Sequence, residues 1–256
     1  MRNSLKFFSA ILLIISMITP AYAVKPLLLF DEAHGQRFTI DGGGGDLGLS
    51  AFADVFVDAG FEVRALKSKI TPETLKGAKA LVTSGAFSPY SPDELEAISG
   101  FLNDGGSLAL MLHISPTVRS LMDMLGVVPS NGVLKDGGEI IGGKDIDFKI
   151  TNLEPHPLTQ GLDYFSLYGG WALLPNADGV VPLAATGDNA WIDLNRNTLR
   201  DSDEVKMRLN VAVAGTRGRG RFVVFGDDAI FQNRFLDANN KKLAHNLANW
   251  FLAELL

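Results

Sequence analysis

The feature that most constrains the fold is the alternation of apolar runs and helical patterns in the first half of the chain. Short continuous apolar runs, clearest at residues 27–30 and 108–112, are typical of strands that are buried on both faces. Apolar residues at helical spacing lie between them, over residues 49–59 and 91–103. Strand–helix–strand repetition of this kind predicts an α/β domain with a parallel sheet and helices on both of its faces.

The second half of the chain has a different pattern. Glycines break residues 128–143 into short pieces, and residues 205–213 alternate between apolar and polar side chains. Alternation is typical of an antiparallel strand with one exposed face. We therefore expect an antiparallel β extension over residues 130–215, inserted before the last core strand at 222–225, within a single domain that spans residues 24–256.

The N-terminus has the three parts of a secretory signal peptide. Arg2 and Lys6 precede an apolar run over residues 7–18, and residues 21–23 (Ala-Tyr-Ala) fit the small-x-small pattern of a cleavage site. The run is shorter than the ~20 apolar residues that span a bilayer. We expect residues 1–23 to be removed and the mature chain, without a membrane span, to be exported to the periplasm or the extracellular space.

Composition excludes several classes of chemistry. The 256-residue chain has no cysteine, so thiol nucleophiles, zinc–thiolate sites, iron–sulfur clusters and disulfides are ruled out. Its formal net charge of −6 argues against nucleic acid or anionic membrane surfaces as partners, because both attract clustered Lys and Arg. The chain lacks the glycine-rich motifs that bind nucleotide phosphates, so no nucleotide cofactor is expected.

Residues 193–204 (DLNRNTLRDSDE) carry oxygen-bearing side chains at the spacing of an EF-hand-type calcium loop. The predicted Ca²⁺ ligands, which include the main-chain carbonyl of the seventh residue, are Asp193, Asn195, Asn197, Leu199, Asp201 and Glu204. Thr198 stands where the sharp turn normally has glycine, and a non-glycine residue at positive φ costs about 1–3 kcal/mol. The alternative is a solvated polar hairpin tip, whose acids are partly offset by Arg196 and Arg200.

Three short motifs resemble one family. Residues 28–35 (LLFDEAHG) look like the first strand and loop of secreted glutamine-amidotransferase-like proteins of unassigned function. Residues 101–108 (FLNDGGSL) resemble their helix, Gly-Gly and strand element, and residues 221–228 (RFVVFGDD) resemble their last strand. Trehalose-utilisation-type proteins and the globular domain of an intraflagellar transport subunit share this fold. The resemblance covers residues 27–128 and 205–256, and it implies a flavodoxin-like, class I amidotransferase-type sheet.

Glutaminase activity does not follow from this resemblance. Amidotransferases of the class attack glutamine with a cysteine on a sharp strand-to-helix turn, assisted by a histidine and a glutamate. Here the fourth predicted strand runs into residues 113–116 (HISP), and no Gly-x-Ser-x-Gly motif supplies a serine in its place. We therefore expect a protein that is not a glutaminase.

Polar residues follow the predicted strands where a ligand crevice is expected, since ligands of open α/β sheets bind outside the carboxyl ends of the strands. The candidate ligand-binding residues are Asp31, His34, Ser84, His113, Asp227 and Asp228. Asp31, His34, His113 and Asp228 are also the candidate catalytic residues, because two imidazoles and nearby carboxylates could run general acid–base chemistry or hold a metal. Alternatively, Asp31 and Asp227 cap loop or helix amides.

Three functions are compatible with the sequence. The leading hypothesis is an exported, non-catalytic binding or scaffolding domain on an amidotransferase-like fold that lacks the nucleophile, with Ca²⁺ stabilising the acidic loop. The alternative is a hydrolase of a small polar or sugar-like substrate, in which His34 and His113 act as acid and base. The third is an interaction module that binds a cell-envelope protein, by analogy with the intraflagellar relative.

Overall fold

The computed structural model describes residues 24–42, 45–113, 115–136 and 138–254. The predicted signal peptide, residues 1–23, lies outside this part of the chain. In chain order the described strands and α-helices are β1 (Leu27–Asp31), α1 (Ser50–Asp58), β2 (Glu62–Leu66), β3 (Ala78–Ser84), α2 (Pro92–Asn103), β4 (Ser107–Met111), α3 (Arg119–Leu125), β5 (Val127–Lys135), β6 (Ile140–Ile141), β7 (Lys144–Ile150), β8 (Asn152–Leu153), β9 (Phe165–Tyr168), β10 (Trp171–Pro175), β11 (Val181–Ala185), β12 (Trp191–Asp193), β13 (Asn210–Arg217), β14 (Gly220–Phe225) and α4 (Ala238–Leu252). No helix within the described ranges is both long and apolar enough to cross a membrane.

A central sheet organises the molecule. Eight of the described strands form it, in the order β2-β1-β3-β4-β14-β13-β11-β8. The strands from β2 to β14 pair in parallel, and those from β14 to β8 pair antiparallel. The protein is therefore a mixed α/β structure whose central sheet is mostly parallel, with added antiparallel strands, as the sequence predicts.

Helices cover both faces of this sheet. On one face α1 packs against α4, where Phe56 stacks on Phe251 with ring centroids 6.1 Å apart. Phe52 of α1 stacks on Phe231, in the segment after β14, at 4.2 Å. On the other face α2 and α3 bury residues such as Ile98 in a second hydrophobic cluster. The parallel strands between them are buried on both sides, which explains why they read as continuous apolar runs.

The region between α3 and β14 is rich in antiparallel strands. β8, β11 and β13 extend the central sheet, while the other strands form two three-stranded sheets in the orders β10-β5-β12 and β6-β7-β9 among the described residues. β10 also lies close to the central sheet, because the Trp171 N–H donates to the carbonyl of Gly226 at 2.7 Å. This contact brings the region to the end of β14, beside the predicted crevice.

Two details predicted for this region are wrong. Residues 205–213 are not one half-exposed strand: β13 begins at Asn210, and its apolar side chains are buried in the two hydrophobic clusters that cover the faces of the sheet. The exposed Val205 and Met207 belong to the preceding loop, whose alternating pattern imitates a strand. The acidic segment is not a hairpin tip either, since it joins β12, which pairs with β5, to β13 in the central sheet.

Candidate functional site

The structure places the crevice residues predicted from the sequence at one edge of the central sheet. Asp31 ends β1 and Ser84 ends β3, whereas His113 follows β4 and the pair Asp227 and Asp228 follows β14. β1, β3, β4 and β14 are consecutive and parallel, so their carboxyl ends lie side by side. Within this edge the residues sort into two separate histidine–carboxylate pairs.

The first pair is Asp31 with His34, and it is closed off from solvent. His34 Nδ1 lies 2.9 Å from both carboxylate oxygens of Asp31, and both residues are buried. The same carboxylate accepts hydrogen bonds from the Tyr90 hydroxyl at 2.7 Å, from the Thr83 hydroxyl at 3.2 Å and from the Gln36 amide at 3.0 Å. Asp31 is thus surrounded by donors from its own loop, from β3 and from the segment before α2.

Glu94 completes this cluster from the first turn of α2. Its Oε1 lies 3.3 Å from His34 Nε2, and its Oε2 accepts the Ser91 N–H at 3.0 Å and the Ser91 hydroxyl at 2.7 Å. The helix cap therefore fixes the carboxylate that meets the imidazole. The His34 ring also stacks on Tyr90, with centroids 4.0 Å apart.

The electrostatics of the cluster favour a protonated His34 between two carboxylates. Burial alone lowers the pKa of His34, but the hydrogen bonds and charges of Asp31 and Glu94 together outweigh it and raise the pKa. Burial alone would raise the pKa of Glu94. The hydrogen bonds from Ser91 and Ile70 and the charge of His34 outweigh burial, so the pKa is lowered. Burial, followed by the charge of Asp31, raises the pKa of Tyr90 well above its usual value. These hydrogen bonds and ion pairs tie the loop after β1 to β3 and to the first turn of α2.

The second pair, His113 with Asp228, differs in exposure. His113 Nδ1 lies 3.1 Å from Asp228 Oδ1, and the His113 side chain is 36% exposed whereas that of Asp228 is 4% exposed. The hydrogen bond to Asp228 is the main reason that the pKa of His113 is raised, while burial and the charge of Arg37 oppose it. Burial raises the pKa of Asp228, and His113 moderates that shift. Asp228 Oδ2 is buried and has no hydrogen-bond partner among the described residues.

Aromatic rings and one cation surround the His113 imidazole. Phe87 and Phe38 lie with ring centroids 5.0 and 5.9 Å from it, and both rings are partly exposed. The exposed Arg37 guanidinium lies 4.8 Å from the centre of the Phe87 ring. The Trp171 indole N–H donates to the His113 carbonyl at 3.1 Å, which fixes the backbone at this point. We call Arg37, Phe38, Phe87 and His113 the rim.

Asp227 and Ser84, the other two predicted residues, belong to neither pair. Asp227 accepts the N–H of Tyr168 at 2.6 Å and the N–H of Ala229 at 2.8 Å, so it caps backbone amides, as the alternative interpretation proposed. Burial, and secondarily the charge of Asp228, raises the pKa of Asp227 well above its usual value. Ser84 is buried.

The two histidine–carboxylate pairs do not meet. No hydrogen bond joins one pair to the other in the part of the chain that the structure describes, and residues 85–88 run between them. The N–H groups of Phe87 and Ser88 donate to the His34 carbonyl at 2.8 and 2.9 Å. His34 is therefore buried within its own cluster, whereas the side chain of His113 is partly exposed.

The acidic loop, residues 193–204, is held together by hydrogen bonds among its own side chains and backbone groups. The side-chain amides of Asn195 and Asn197 both donate to Asp201 Oδ2, at 2.6 and 2.8 Å. Asp193 is buried, and its Oδ2 accepts the N–H of Thr198 at 3.1 Å. Thr198 holds φ at +67°, so threonine adopts the left-handed conformation for which glycine was expected.

Glu204 joins the two ends of this loop. It is buried, and its oxygens accept the N–H groups of Leu194 and Asp201, both at 2.8 Å. The Leu199 side chain is exposed. Throughout the described residues, no group of three or more His, Cys, Asp or Glu side chains is gathered closely enough to hold a metal ion.

Comparison with protein families shows which family the chain belongs to. A family model described as a domain of unknown function, DUF4350, matches residues 45–248. The chain belongs to the DUF4350 family. The matched DUF4350 segment includes His113, Asp228 and the acidic loop, and it begins after Asp31 and His34. No curated protein matches the sequence significantly.

Solved structures establish the fold of this DUF4350 chain. The mmIFT52 N-terminal domain superposes with a TM-score of 0.71 at 17% identity, over 90% of this chain and 99% of that domain. A ThuA-like protein from Bacteroides uniformis ATCC 8492 gives 0.54 at 17% identity, over 91% and 95% of the two chains. A second ThuA-like protein, from Parabacteroides merdae ATCC 43184, gives 0.55 at 10% identity, over 88% and 90%. At these identities the matches confirm the predicted relationship to ThuA-like proteins and to IFT52 at the level of the fold.

Several residues around the two histidine–carboxylate pairs are not predictable from the sequence. The pattern marks Glu94 only as an acid near the start of a helix, and it does not mark Tyr90. Arg37, Phe38 and Phe87 lie in irregular loops, where no periodicity marks them. The nearest signal was the position of Arg37 and Phe38 directly after the loop that follows β1.

Proposed function

We propose that this DUF4350 protein is an exported, non-catalytic binding domain that holds a small anionic ligand at the rim. The observation that supports this most is the contrast between the two histidine–carboxylate pairs. Asp31, His34 and Glu94 form a closed cluster, whereas His113 presents a partly exposed imidazole held by a buried carboxylate. The proposal includes export because residues 1–23 have the sequence pattern of a signal peptide.

The chemistry of the rim favours an anion with an apolar or sugar-like face. Asp228 favours the protonated form of His113, and Arg37 lies close enough for its charge to act on the imidazole. Because Asp228 bonds His113 Nδ1, the second nitrogen is the one that can donate to a ligand. Phe38 and Phe87 add ring faces beside these two donors. A carboxylate or phosphate on a small carbon skeleton matches this set.

The position of the rim supports the same proposal. Ligands of open α/β sheets bind outside the carboxyl ends of the strands, where His113 and Asp228 lie. The parallel strands follow the order β2-β1-β3-β4-β14, the order that flavodoxin-like sheets use. We take this order as support for the finer assignment to a flavodoxin-like, class I amidotransferase-like fold. The chain has no cysteine to act as the nucleophile of that class, which supports binding over glutaminase catalysis.

A second candidate function is hydrolysis, and one observation favours it. A histidine whose Nδ1 bonds a buried carboxylate at 3.1 Å is oriented as a general base would be. Its other nitrogen could activate water against a small polar or sugar-like substrate. Binding and hydrolysis therefore use the same imidazole and differ only in whether the bound molecule is turned over.

A thermal-shift screen with matched histidine variants tests the proposal. Sugar phosphates and uronic acids are the probes, and uncharged sugars of the same size are the reference. We expect acidic probes to raise the melting midpoint of the wild type and of His245→Gln, a control on α4, but not of His113→Gln. The proposal fails if no acidic probe shifts the wild type, or if His113→Gln responds as the wild type does.

Turnover assays separate the two candidate functions. Chromogenic esters, phosphate esters and glycosides are incubated with the wild type, His113→Gln and Asp228→Asn. Release of product that both variants abolish would replace the binding proposal with hydrolysis. Unchanged substrate, together with a melting shift from the acidic probes, is the expected result.

A further inference from the structure

We propose that residues 193–204 form a Ca²⁺ site, independent of the rim, with Asp193, Asn195, Asn197 and Asp201 as side-chain ligands and the Leu199 carbonyl as a main-chain ligand. The ligand oxygens come from alternate residues of one loop, which is the way that EF-hand-type loops surround Ca²⁺. Carboxylate, amide and carbonyl oxygens are hard ligands, which suit Ca²⁺ better than Zn²⁺.

The strongest observation is an unpartnered oxygen on Asp193. This residue is only 5% exposed, yet its Oδ1 has no hydrogen-bond partner among the described residues. Its Oδ2 accepts the N–H of Thr198 from within the loop, so the carboxylate is held against the loop and away from solvent. A buried carboxylate oxygen without a donor is costly unless something positive meets it. A cation bound by the loop supplies that partner.

The other ligands gather around Asp201. Its Oδ2 receives two amide groups, from Asn195 and Asn197, so three of the predicted ligands already touch one another. The oxygens of those amides accept the N–H groups of Asn197 and Leu199 at 3.0 and 2.7 Å, which curls the loop over alternate residues. In this structure the two side-chain amides donate to Asp201 Oδ2. A bound cation would replace them as the partner of this oxygen.

Glu204 acts as a positioning residue in this proposal. Both of its oxygens already accept backbone N–H groups at the two ends of the loop, so it fixes where the loop starts and closes. Because both oxygens are occupied, Glu204 is not among the proposed ligands. Asparagine, carbonyl and water oxygens complete the shell, as they do for Ca²⁺ with its six to eight ligands.

Charge and backbone conformation agree with a cation site. Residues 193–204 contain four carboxylates and two arginines, so the segment carries a formal charge of −2. Arg200 is engaged with the Glu204 carbonyl at 2.9 Å rather than with a carboxylate of the loop. Thr198 adopts a φ of +67° although it is not glycine. In this conformation its N–H donates to Asp193 Oδ2.

The test measures calcium binding by the full chain after chelator treatment. We expect Ca²⁺ at about a hundred times its Kd to raise the melting midpoint by roughly 5–10 °C. Isothermal titration should show one site per chain, and Mg²⁺ at the same concentration should give a much smaller shift. Asp193→Asn should lose the shift, while Asp203→Asn, an exposed acid outside the ligand set, should keep it.

Asp201→Asn is the second variant, because it removes a ligand charge without altering the buried Asp193. Loss of the calcium shift in Asp201→Asn supports the site even where Asp193→Asn does not fold. No shift in the wild type, an equal shift with Mg²⁺, or an unchanged shift in Asp201→Asn would overturn the proposal. None of these results depends on whether the rim binds an anion.

Discussion

Asp228 and Gly85 lie against each other at the carboxyl edge of the sheet, so closely that a β-carbon on residue 85 would be 2.6 Å from Asp228 Oδ2. Gly85 also has φ at +61°, a conformation that side chains disfavour. The same added atom would be 3.6 Å from the Cβ of His113. Because residue 85 is glycine, there is room beside it for the Asp228 carboxylate, which orients the His113 imidazole.

Replacement of Gly85 by alanine should destabilise the protein and disturb the His113–Asp228 pair. The left-handed φ alone costs about 1–3 kcal/mol, and the clash with Asp228 adds to it. Urea unfolding measures the loss. Gly142→Ala is the matched control, because Gly142 has the same φ of +61° and no atom within 4 Å of the added carbon. Equal losses in the two variants would contradict the role of the Asp228 contact.

Replacement of Asp228 by asparagine should lower the pKa of His113. The hydrogen bond to Asp228 is the largest cause of the raised pKa, and the charge of Asp228 contributes further. NMR titration of the imidazole signals measures the change. His34 is the internal reference in the same spectra, because Asp31 and Glu94 set its pKa. An unchanged His113 titration in the variant would show that the pair does not form in solution.

The free energy of unfolding should fall as the pH rises above about 6.5 and through the pKa values of His34 and His113 in the folded protein. His34 and His113 both have pKa values raised above the unfolded value of about 6.5, so the folded protein holds their protons more tightly. Their contribution is complete below pH 6.5 and is lost as the pH rises through the folded pKa values. Burial lowers the pKa of His156, so its effect falls below this window.

Denaturant unfolding at several pH values measures this fall, and variants divide it between the two histidines. His113→Gln should reduce the loss of stability across the window, whereas His245→Gln should behave as the wild type does. A profile in the wild type that stays flat as the pH rises above about 6.5 would contradict the raised pKa values.

Removal of the Tyr90 hydroxyl should cost about 1–3 kcal/mol, because Asp31 loses a donor at 2.7 Å inside a buried cluster. Tyr90→Phe tests this by urea unfolding. Tyr164→Phe is the control, since Tyr164 is partly exposed and its ring lies beside Lys149; its change should stay within about 0.5 kcal/mol. Similar losses in both variants would show that the Asp31 cluster is weaker than its geometry indicates.

The parallel half of the fold is predictable from sequence because its signals are local. β1, β3 and β4 are short apolar runs, and α2 begins at Pro92, after the cap Ser91, with two acids in its first turn. β13 is not predictable in this way, because its burial comes from the elements packed on both faces of the sheet. The local alternation of residues 205–213 does not contain that information.

The candidate site is likewise predictable from the sequence only in part. Strand ends could be assigned from sequence, so Asp31, His113 and Asp228 were placed at the correct edge. The pairing of His113 with Asp228 joins residues 115 positions apart, and Tyr90 reaches Asp31 across 59 positions. Such partners depend on strand order and loop packing, so the sequence did not show that residues 85–88 separate the two histidines.

The position of β14 has a consequence for how the protein is synthesised. β14 is the last of the described strands in sequence, but it lies between β4 and β13 in the middle of the central sheet. During synthesis, β4 and β13 therefore each have an unpaired edge until residue 225 has emerged from the ribosome. Such edges invite pairing with other chains. A premature stop shortly before residue 220 should yield an aggregating fragment rather than a smaller folded protein.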